Sequence, residues 1–131
     1  MGQPAAKQGD RIMATDTHIV LIPAGSGTIP TPLPHPFTGI IDGALSGDVK
    51  IMGKPAATVD STATNTPAHV PQGGPFQKPP SNKGTIKMGS TTVKINGKMA
   101  ARNGDMAMTC NDPADLPVGK VVAVGTVTIG G

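Results

Sequence analysis

One phrase, Gly-x-x-Ala-Ala, occurs three times in this chain, beginning at Gly2, Gly53 and Gly97. The two later copies are the clearest, because VKIMGKPAA (49–57) and VKINGKMAA (93–101) agree at seven of nine positions with an offset of 44 residues. The first copy lacks the Val-Lys-Ile lead-in. Self-similarity of this kind predicts that the fold is assembled from copies of one small unit.

Each copy predicts a short β-hairpin. Residues 49–51 and 93–95 alternate apolar and polar side chains, as a strand with one buried face does. The Asn96-Gly97 pair favours a type I′ turn, and the alanine pair that follows predicts a second strand whose small side chains let backbones approach closely. Because Gly, Pro and β-branched residues recur throughout, we expect an all-β fold with long Pro/Gly-rich loops and almost no helix.

Three similar hairpins are compatible with two architectures. One is a small pseudo-threefold domain that sits on the end of a true homotrimer and uses each repeat once. The other is a β-barrel or sandwich in which the repeats are a relic of duplication, and the repeats alone leave both open. The length of 131 residues predicts a single domain over 1–131, in which residues 22–39 form an irregular or polyproline-like loop.

Large apolar side chains are scarce. Phe37 and Phe76 are the only aromatic residues, so the core must be built from Val, Ile, Met and Ala and will be thin. A small domain with a thin core usually needs a disulfide, a metal or a partner. The single cysteine, Cys110, excludes an intrachain disulfide, which leaves a metal or a partner.

The chain holds four side chains that zinc favours, His18, His35, His69 and Cys110. Four donors are what a closed tetrahedral zinc site requires. His18 and His69 also lie at the same phase of the repeat, each 14 residues after Pro4 or Pro55. The spacings match no zinc-finger motif, so an exposed histidine and a small buried cysteine remain the plainer interpretation of each residue alone.

The acidic residues argue against catalysis. A catalytic zinc site needs a carboxylate to handle protons, and this sequence has no glutamate. Most aspartates stand in turn contexts beside Gly or Pro. Asp16, two residues before His18, is either a carboxylate that orients a ligand or the partner in a local turn. We therefore expect no enzymatic activity, with a zinc-dependent hydrolase as a weaker alternative.

Other function classes are disfavoured by composition. The eleven Lys and Arg residues are scattered singly and without interleaved aromatics, so no nucleic-acid surface is expected. A receptor- or carbohydrate-binding β-domain is a further alternative, although sugar stacking would need exposed aromatics. The amino terminus has no apolar signal-peptide region, which predicts synthesis in the cytoplasm without a signal peptide.

The repeats resemble a known motif. Pro4-Ala5-Ala6-Lys7, Pro55-Ala56-Ala57-Thr58 and Met99-Ala100-Ala101-Arg102 are similar to the proline-alanine-alanine-arginine motif of the PAAR-repeat proteins, the spike-tip proteins of contractile injection systems. Each copy departs from the motif at one position. The proline-rich insertion and the ending NDPADLPVGKVVAVGTVTIGG look most like tips of the extracellular type, with a type VI secretion tip as the other possibility.

The resemblance implies a short β-rich cone with pseudo-threefold symmetry. Its base would sit on a homotrimeric spike protein of the valine-glycine repeat type, one tip per trimer. A structural zinc ion near the apex would be held by three histidines and a cysteine, for which His18, His35, His69 and Cys110 are the candidates in this chain. Such a bare tip would sharpen the spike for penetration of a target membrane, carry any effector cargo non-covalently, and leave the bacterial cell as part of the assembled particle.

Overall fold

The computed structural model describes residues 2–130, so Met1 and Gly131 of the expected 1–131 domain lie outside the described residues. Within residues 2–130 there is no helix, which confirms the all-β prediction, and hence no helix that could cross a membrane. The strands, in chain order, are β1 (Gln3–Pro4), β2 (Arg11–Ala24), β3 (Gly27–Gly43), β4 (Lys50–Ile51), β5 (Lys54–Pro55), β6 (Thr62–Asn65), β7 (Lys83–Ile86), β8 (Lys94–Ile95), β9 (Lys98–Met99), β10 (Met106–Thr109), β11 (Leu116–Val122) and β12 (Thr128–Ile129).

The longer strands close into an antiparallel barrel in the order β10-β11-β2-β3-β6-β7. Its core is as thin as composition predicts, because alanines fill much of it between Phe37, Ile12, Ile41 and Ile86. Phe37 is 1% exposed and fits only because its neighbour Gly39 lacks a side chain: a Cβ there would lie 2.6 Å from the ring. The barrel interior is therefore filled around one aromatic ring.

The three Ala-Ala phrases meet around a pseudo-threefold axis. The amide of Ala6 donates to the carbonyl of Ala101, Ala101 donates to Ala57, and Ala57 donates to Ala6, at 3.0–3.1 Å. All three side chains are 0% exposed. Backbones approach this closely because no side chain here is larger than a methyl group. The closed ring confirms the pseudo-threefold architecture, and the repeats pack against one another beside the barrel.

The first repeat takes its missing lead-in strand from the other end of the chain. Strand β12 pairs antiparallel with β1, with Ile129 opposite Gln3. Ile129 then packs beside Ile51 and Ile95, the corresponding residues of the other two repeats, in one buried cluster. The strand pair of the first repeat is therefore made from both ends of the chain, and the ring of repeats closes on itself.

The two internal hairpins turn as the sequence predicts. Met52 and Gly53 have φ of 53° and 83°, and Asn96 and Gly97 have φ of 53° and 80°. Two successive positive φ angles define a type I′ turn, which matches the twist of the flanking strands. The turn between β4 and β5 and the turn between β8 and β9 are thus equivalent structures.

The expectation of an irregular loop over residues 22–39 is wrong. Strands β2 and β3 form one continuous hairpin whose register runs without interruption from Arg11 opposite Ile40 to Ala24 opposite Gly27. The proline content suggested a loop because proline removes a backbone donor and is normally excluded from paired strands. Here the prolines occupy the positions at which that donor is not needed.

Within β3, prolines occupy alternate positions from residue 30 to residue 36, at Pro30, Pro32, Pro34 and Pro36. Across the ladder, Thr17 faces Pro34 and Ile19 faces Pro32. The amides of Thr17 and Ile19 donate away from β3, to the side chains of Asn111 and Asp112 at 2.6 and 2.9 Å. In an antiparallel pair both residues of such a position point their amides outward. Each proline therefore deletes an N–H from the free edge of β3 and leaves the ladder to β2 intact.

The fold has two distinct ends. One end consists of the strand pairs β1–β12, β4–β5 and β8–β9 around a buried cluster, and we call it the triangular base. The cluster contains Ala5, Ile51, Ala56, Ile95, Ala100 and Ile129. The second alanine of each repeat belongs to the barrel core, so the barrel lies directly behind the base. Beyond the barrel, residues 19–31 of the β2–β3 hairpin continue as a segment that we call the arm. Its lower part is held by residues 75–77, since Leu21 donates to Pro75 and Gln77 donates to Ile19.

Candidate metal centre

Four side chains that could hold a metal ion meet where the arm leaves the barrel. Asp16 and His18 lie on β2, His69 lies in the segment between β6 and β7, and Cys110 directly follows β10. One ligand atom from each lies within 4.8 Å of the other three. Their side chains are no more than 3% exposed. The alternating pattern of β2 places Asp16 and His18 on one face, and this spacing was the available sequence signal for Asp16.

His35 lies beside this group. It faces Asp16 across the β2–β3 ladder, and its ring centroid is 5.6 Å from that of His18 and 5.5 Å from that of His69. Its Nδ1 lies 2.9 Å from the carbonyl of Leu33, whereas its Nε2 is buried without a hydrogen-bond partner. The structure thus brings all four predicted ligands into one region and places His35 at its edge. Their assignment as the ligand set remains a prediction.

Asp16 is more central than the sequence suggested. Its Oδ2 lies 2.8 Å from His69 Nε2 and 3.4 Å from Cys110 Sγ. Its Oδ1 accepts hydrogen bonds from the Thr109 hydroxyl and from Asn111 Nδ2, the latter at 3.5 Å. These partners are 53 to 95 residues away along the chain, so the local-turn interpretation of Asp16 is wrong.

His18 is held with one ring nitrogen toward Cys110 and the other toward a carboxylate. Its Nε2 lies 3.6 Å from Cys110 Sγ, and its Nδ1 lies 3.6 Å from Asp112 Oδ2 without forming a hydrogen bond. Burial lowers the pKa of His18, against the opposing effect of Asp112. The ring is therefore neutral at pH 7, which is the form that binds a metal. Asp112 was assigned to a turn from sequence, yet it is the carboxylate nearest to His18 Nδ1.

Cys110 is a thiol in the absence of a cation. Burial raises its pKa to about 11, and the neighbouring Asp16 carboxylate acts in the same direction. A buried thiol with this pKa does not react as a nucleophile at neutral pH. A bound divalent cation would instead lower the pKa of the thiol, because a thiol that coordinates a metal is deprotonated outright.

His69 is positioned by two asparagines that sequence reasoning missed. Asn65 Nδ2 lies 3.3 Å from His69 Nδ1, and the amide of His69 donates to Asn82 Oδ1 at 2.8 Å. Asn65 is itself fixed, because its Oδ1 accepts the amide of Thr38 at 2.9 Å. These contacts aim the Nε2 of His69 at Asp16. No pattern in the sequence marked either asparagine.

Both phenylalanines border the cluster. The ring centroid of Phe76 is 5.7 Å from that of His18 and 5.3 Å from that of His35, and Phe37 is 6.1 Å from His69. Phe76 reaches this position because it forms a bridge with Val20 at the start of the arm. The two aromatic rings of the chain therefore limit the access of water to the imidazoles.

These residues fit a zinc ion. Imidazole nitrogens and one thiol sulfur are the donors that zinc prefers, and a set of buried donors is typical of a structural site. The orphaned Nε2 of His35 supports the fit, since a buried ring nitrogen without a partner is costly and an ion would satisfy it. A bound ion would join residues of β2, β3, the end of β10 and the segment between β6 and β7.

Comparison with known protein families gives a match. A protein-family model described as PAAR motif matches residues 32–111. The matched span contains His35, His69 and Cys110 together with the second and third Ala-Ala phrases. No curated protein matches the sequence.

Proposed function

This chain belongs to the PAAR motif family, and on that premise we propose that it is the tip of the spike of a contractile injection system, seated by its triangular base on a trimeric spike protein. Family membership suggests a structural spike-tip protein of a type VI-like system. The extracellular type, the puncturing of a target membrane and a non-covalently attached cargo are further parts of this proposal.

The observation that carries the proposal is the ring of hydrogen bonds among Ala6, Ala57 and Ala101. It arranges the three repeats of one chain about a single axis. A homotrimer presents three identical surfaces about its own axis, and a pseudo-threefold base can contact all three at once. We therefore expect one tip per trimer.

The base also has a surface suited to a partner. Apolar side chains around the hairpins are exposed, with Met52 at 54% and Val124 at 70%. Exposed lysines flank the two internal turns, at Lys50, Lys54, Lys94 and Lys98. The strand pair of the first repeat, β1 with β12, has Thr128 and Gln3 at the corresponding places. An apolar patch with a basic rim suits a spike end with an acidic rim.

The proposed role of the metal centre is mechanical. His18, His35, His69 and Cys110 would hold a structural zinc ion that cross-links the chain where the arm begins. A closed set of buried donors leaves no open position for a reacting water, so we assign the centre no catalytic step. On β2 the arm continues past the centre by the six residues from Ile19 to Ala24, so the ion would lie behind the point of the tip. The protein would be made in the cytoplasm and leave the cell with the assembled particle.

Co-purification with the spike protein of the same injection system tests this function. The variant Lys94→Glu/Lys98→Glu reverses two charges at the base and should lower recovery of the complex at least tenfold, about 1.4 kcal/mol. The matched control, Lys78→Glu/Lys83→Glu, changes the same charge at the opposite end and should bind like the wild type. Equal loss in both variants, or no binding by the wild type, would contradict seating by the base.

A further inference from the structure

Asp16 is a fully buried carboxylate, at 0% exposure, in a position that a histidine and cysteine site does not explain. Within residues 2–130 no lysine or arginine nitrogen lies within 4.0 Å of it, and the basic nitrogen beside it is His69 Nε2 at 2.8 Å. A buried carboxylate is costly unless its oxygens are hydrogen-bonded or bound to a cation.

The two oxygens of Asp16 differ in what satisfies them. Oδ1 accepts hydrogen bonds from Thr109 and Asn111, neither of which is a candidate metal ligand. Oδ2 depends on the hydrogens of His69 Nε2 and Cys110 Sγ. These are the two atoms that give up their hydrogens when they bind a metal, since a ligand nitrogen needs its lone pair and a ligand sulfur is a thiolate. Metal binding therefore removes both partners of Oδ2.

Once these hydrogens are gone, Oδ2 faces a histidine lone pair and a thiolate in a site closed to water. Such an arrangement is repulsive unless a cation stands between the three atoms. The net charge of the site also favours a cation beside the carboxylate. Three neutral imidazoles and one thiolate around a divalent ion leave one buried positive charge, which the carboxylate of Asp16 would neutralise.

We propose that Asp16 binds the metal ion directly through Oδ2, as a fifth protein donor beside His18, His35, His69 and Cys110. This inference rests on the proposed metal centre. Zinc accepts carboxylate oxygen as well as nitrogen and sulfur, and expands to five ligands in some sites. Thr109 and Asn111 hold the other oxygen and so orient the carboxylate toward the ion.

X-ray absorption at the zinc edge of the wild-type protein tests the donor count without any substitution. The expected result is five donors, four nitrogen or oxygen and one sulfur. Four donors, three nitrogen or oxygen and one sulfur, would overturn the five-donor set, and the Asp16 variant below then decides whether Asp16 is among the four. A wild type that binds no metal would also overturn it, whereas the role as a spike tip would still be decided separately by co-purification.

Cobalt substitution tests the residue. Five-coordinate Co²⁺ absorbs visible light more weakly than tetrahedral Co²⁺, so Asp16→Asn, which keeps the shape and removes the charge, should give a stronger band and at least tenfold weaker Co²⁺ binding. Asp60→Asn is the matched control, because Asp60 is 51% exposed and pairs with Lys87 and Lys98, which are not candidate ligands. It should leave the wild-type band unchanged. An unchanged band and affinity in Asp16→Asn would contradict direct ligation.

Discussion

The amide of Ala57 donates to the carbonyl of Ala6 at 3.0 Å, although the two residues are 51 positions apart and belong to different repeats. The bond is one side of the ring that sets the pseudo-threefold axis. Both side chains are 0% exposed, and neither has room to grow. The small size of alanine is therefore what lets three backbones converge, and the base that we assign to the spike depends on it.

Ala57→Val should destabilise the protein by about 1–3 kcal/mol, because two added methyl groups in a filled site force the strands apart. Urea denaturation of the two proteins measures the difference. Ala24→Val is the control, since Ala24 is exposed at the end of β2 and its change should stay within about 0.5 kcal/mol. Equal effects at both positions would show that the ring is not tightly packed.

The fourth position of each repeat is bonded to the residue three places later. The amides of Lys7 and Arg102 donate to the carboxylates of Asp10 and Asp105, and each pair also forms a salt bridge. In the middle repeat the amide of Thr58 donates to the hydroxyl of Ser61 at 3.0 Å. In all three repeats a side-chain oxygen therefore accepts the amide at the start of this turn. The acceptor is a carboxylate in two repeats and a hydroxyl in the third.

Asp10→Ala should cost about 3 kcal/mol, because it leaves the buried ammonium of Lys7 without a counter-ion. Asp60→Ala is the control. Asp60 is 51% exposed and lies 3.6–3.7 Å from Lys87 and Lys98, so its loss should cost less than about 1 kcal/mol. Guanidinium denaturation compares the two. A cost for Asp10→Ala as small as that for Asp60→Ala would mean that the ammonium reaches water.

Replacing prolines on the free edge of β3 should make the protein self-associate. Pro30→Ala/Pro32→Ala restores two outward N–H groups, and an edge that presents donors can pair with another chain. Thr28→Ala/Thr31→Ala changes the same region without adding a donor. Light scattering at rising concentration should show larger species for the proline variant alone. If both variants remain monomeric, the prolines have no protective role at this edge.

The thiol of Cys110 gives the metal-free protein a stability that disappears in alkali. Its pKa in the folded state is about 11, above its ordinary 9.0. The folded state therefore holds the proton more tightly, so this stability is complete below about pH 9 and is lost as pH rises toward 11. The loss should reach about 2–3 kcal/mol.

Denaturation in chelator and reductant at pH 8 and at pH 11, for the wild type and Cys110→Ala, measures this contribution. The variant has no thiol to ionise, so it should lose about 2–3 kcal/mol less than the wild type over this range. Parallel losses in the two proteins would show that the thiolate is solvated in the folded state.

The hairpins of the second and third repeats could be predicted because their signals are local. Alternation over three residues and the Asn96-Gly97 pair define a strand and a turn without reference to the rest of the chain. The first repeat could not be completed in this way, because β12 comes from the far end of the chain. The strand at β3 was missed because proline argues against a strand until the register shows which edge each amide would face.

In the candidate site, too, some residues could be predicted from the sequence and others depend on tertiary contacts. Residue type alone was enough to predict His18, His35, His69 and Cys110 as candidate ligands, since zinc favours few side chains. The position of Asp16 Oδ2 between His69 and Cys110 depends on packing among β2, β10 and the segment before β7, which no spacing reveals. The roles of Asn65 and Asn82, which hold His69, could not be predicted either, because they also depend on tertiary contacts.

The stoichiometry of the complex with the spike protein tests the central claim most directly. Native mass spectrometry of the purified complex should give one copy of this chain per spike trimer, because a pseudo-threefold base occupies all three equivalent surfaces at once. Three copies per trimer, or a complex with monomeric spike protein, would contradict the account.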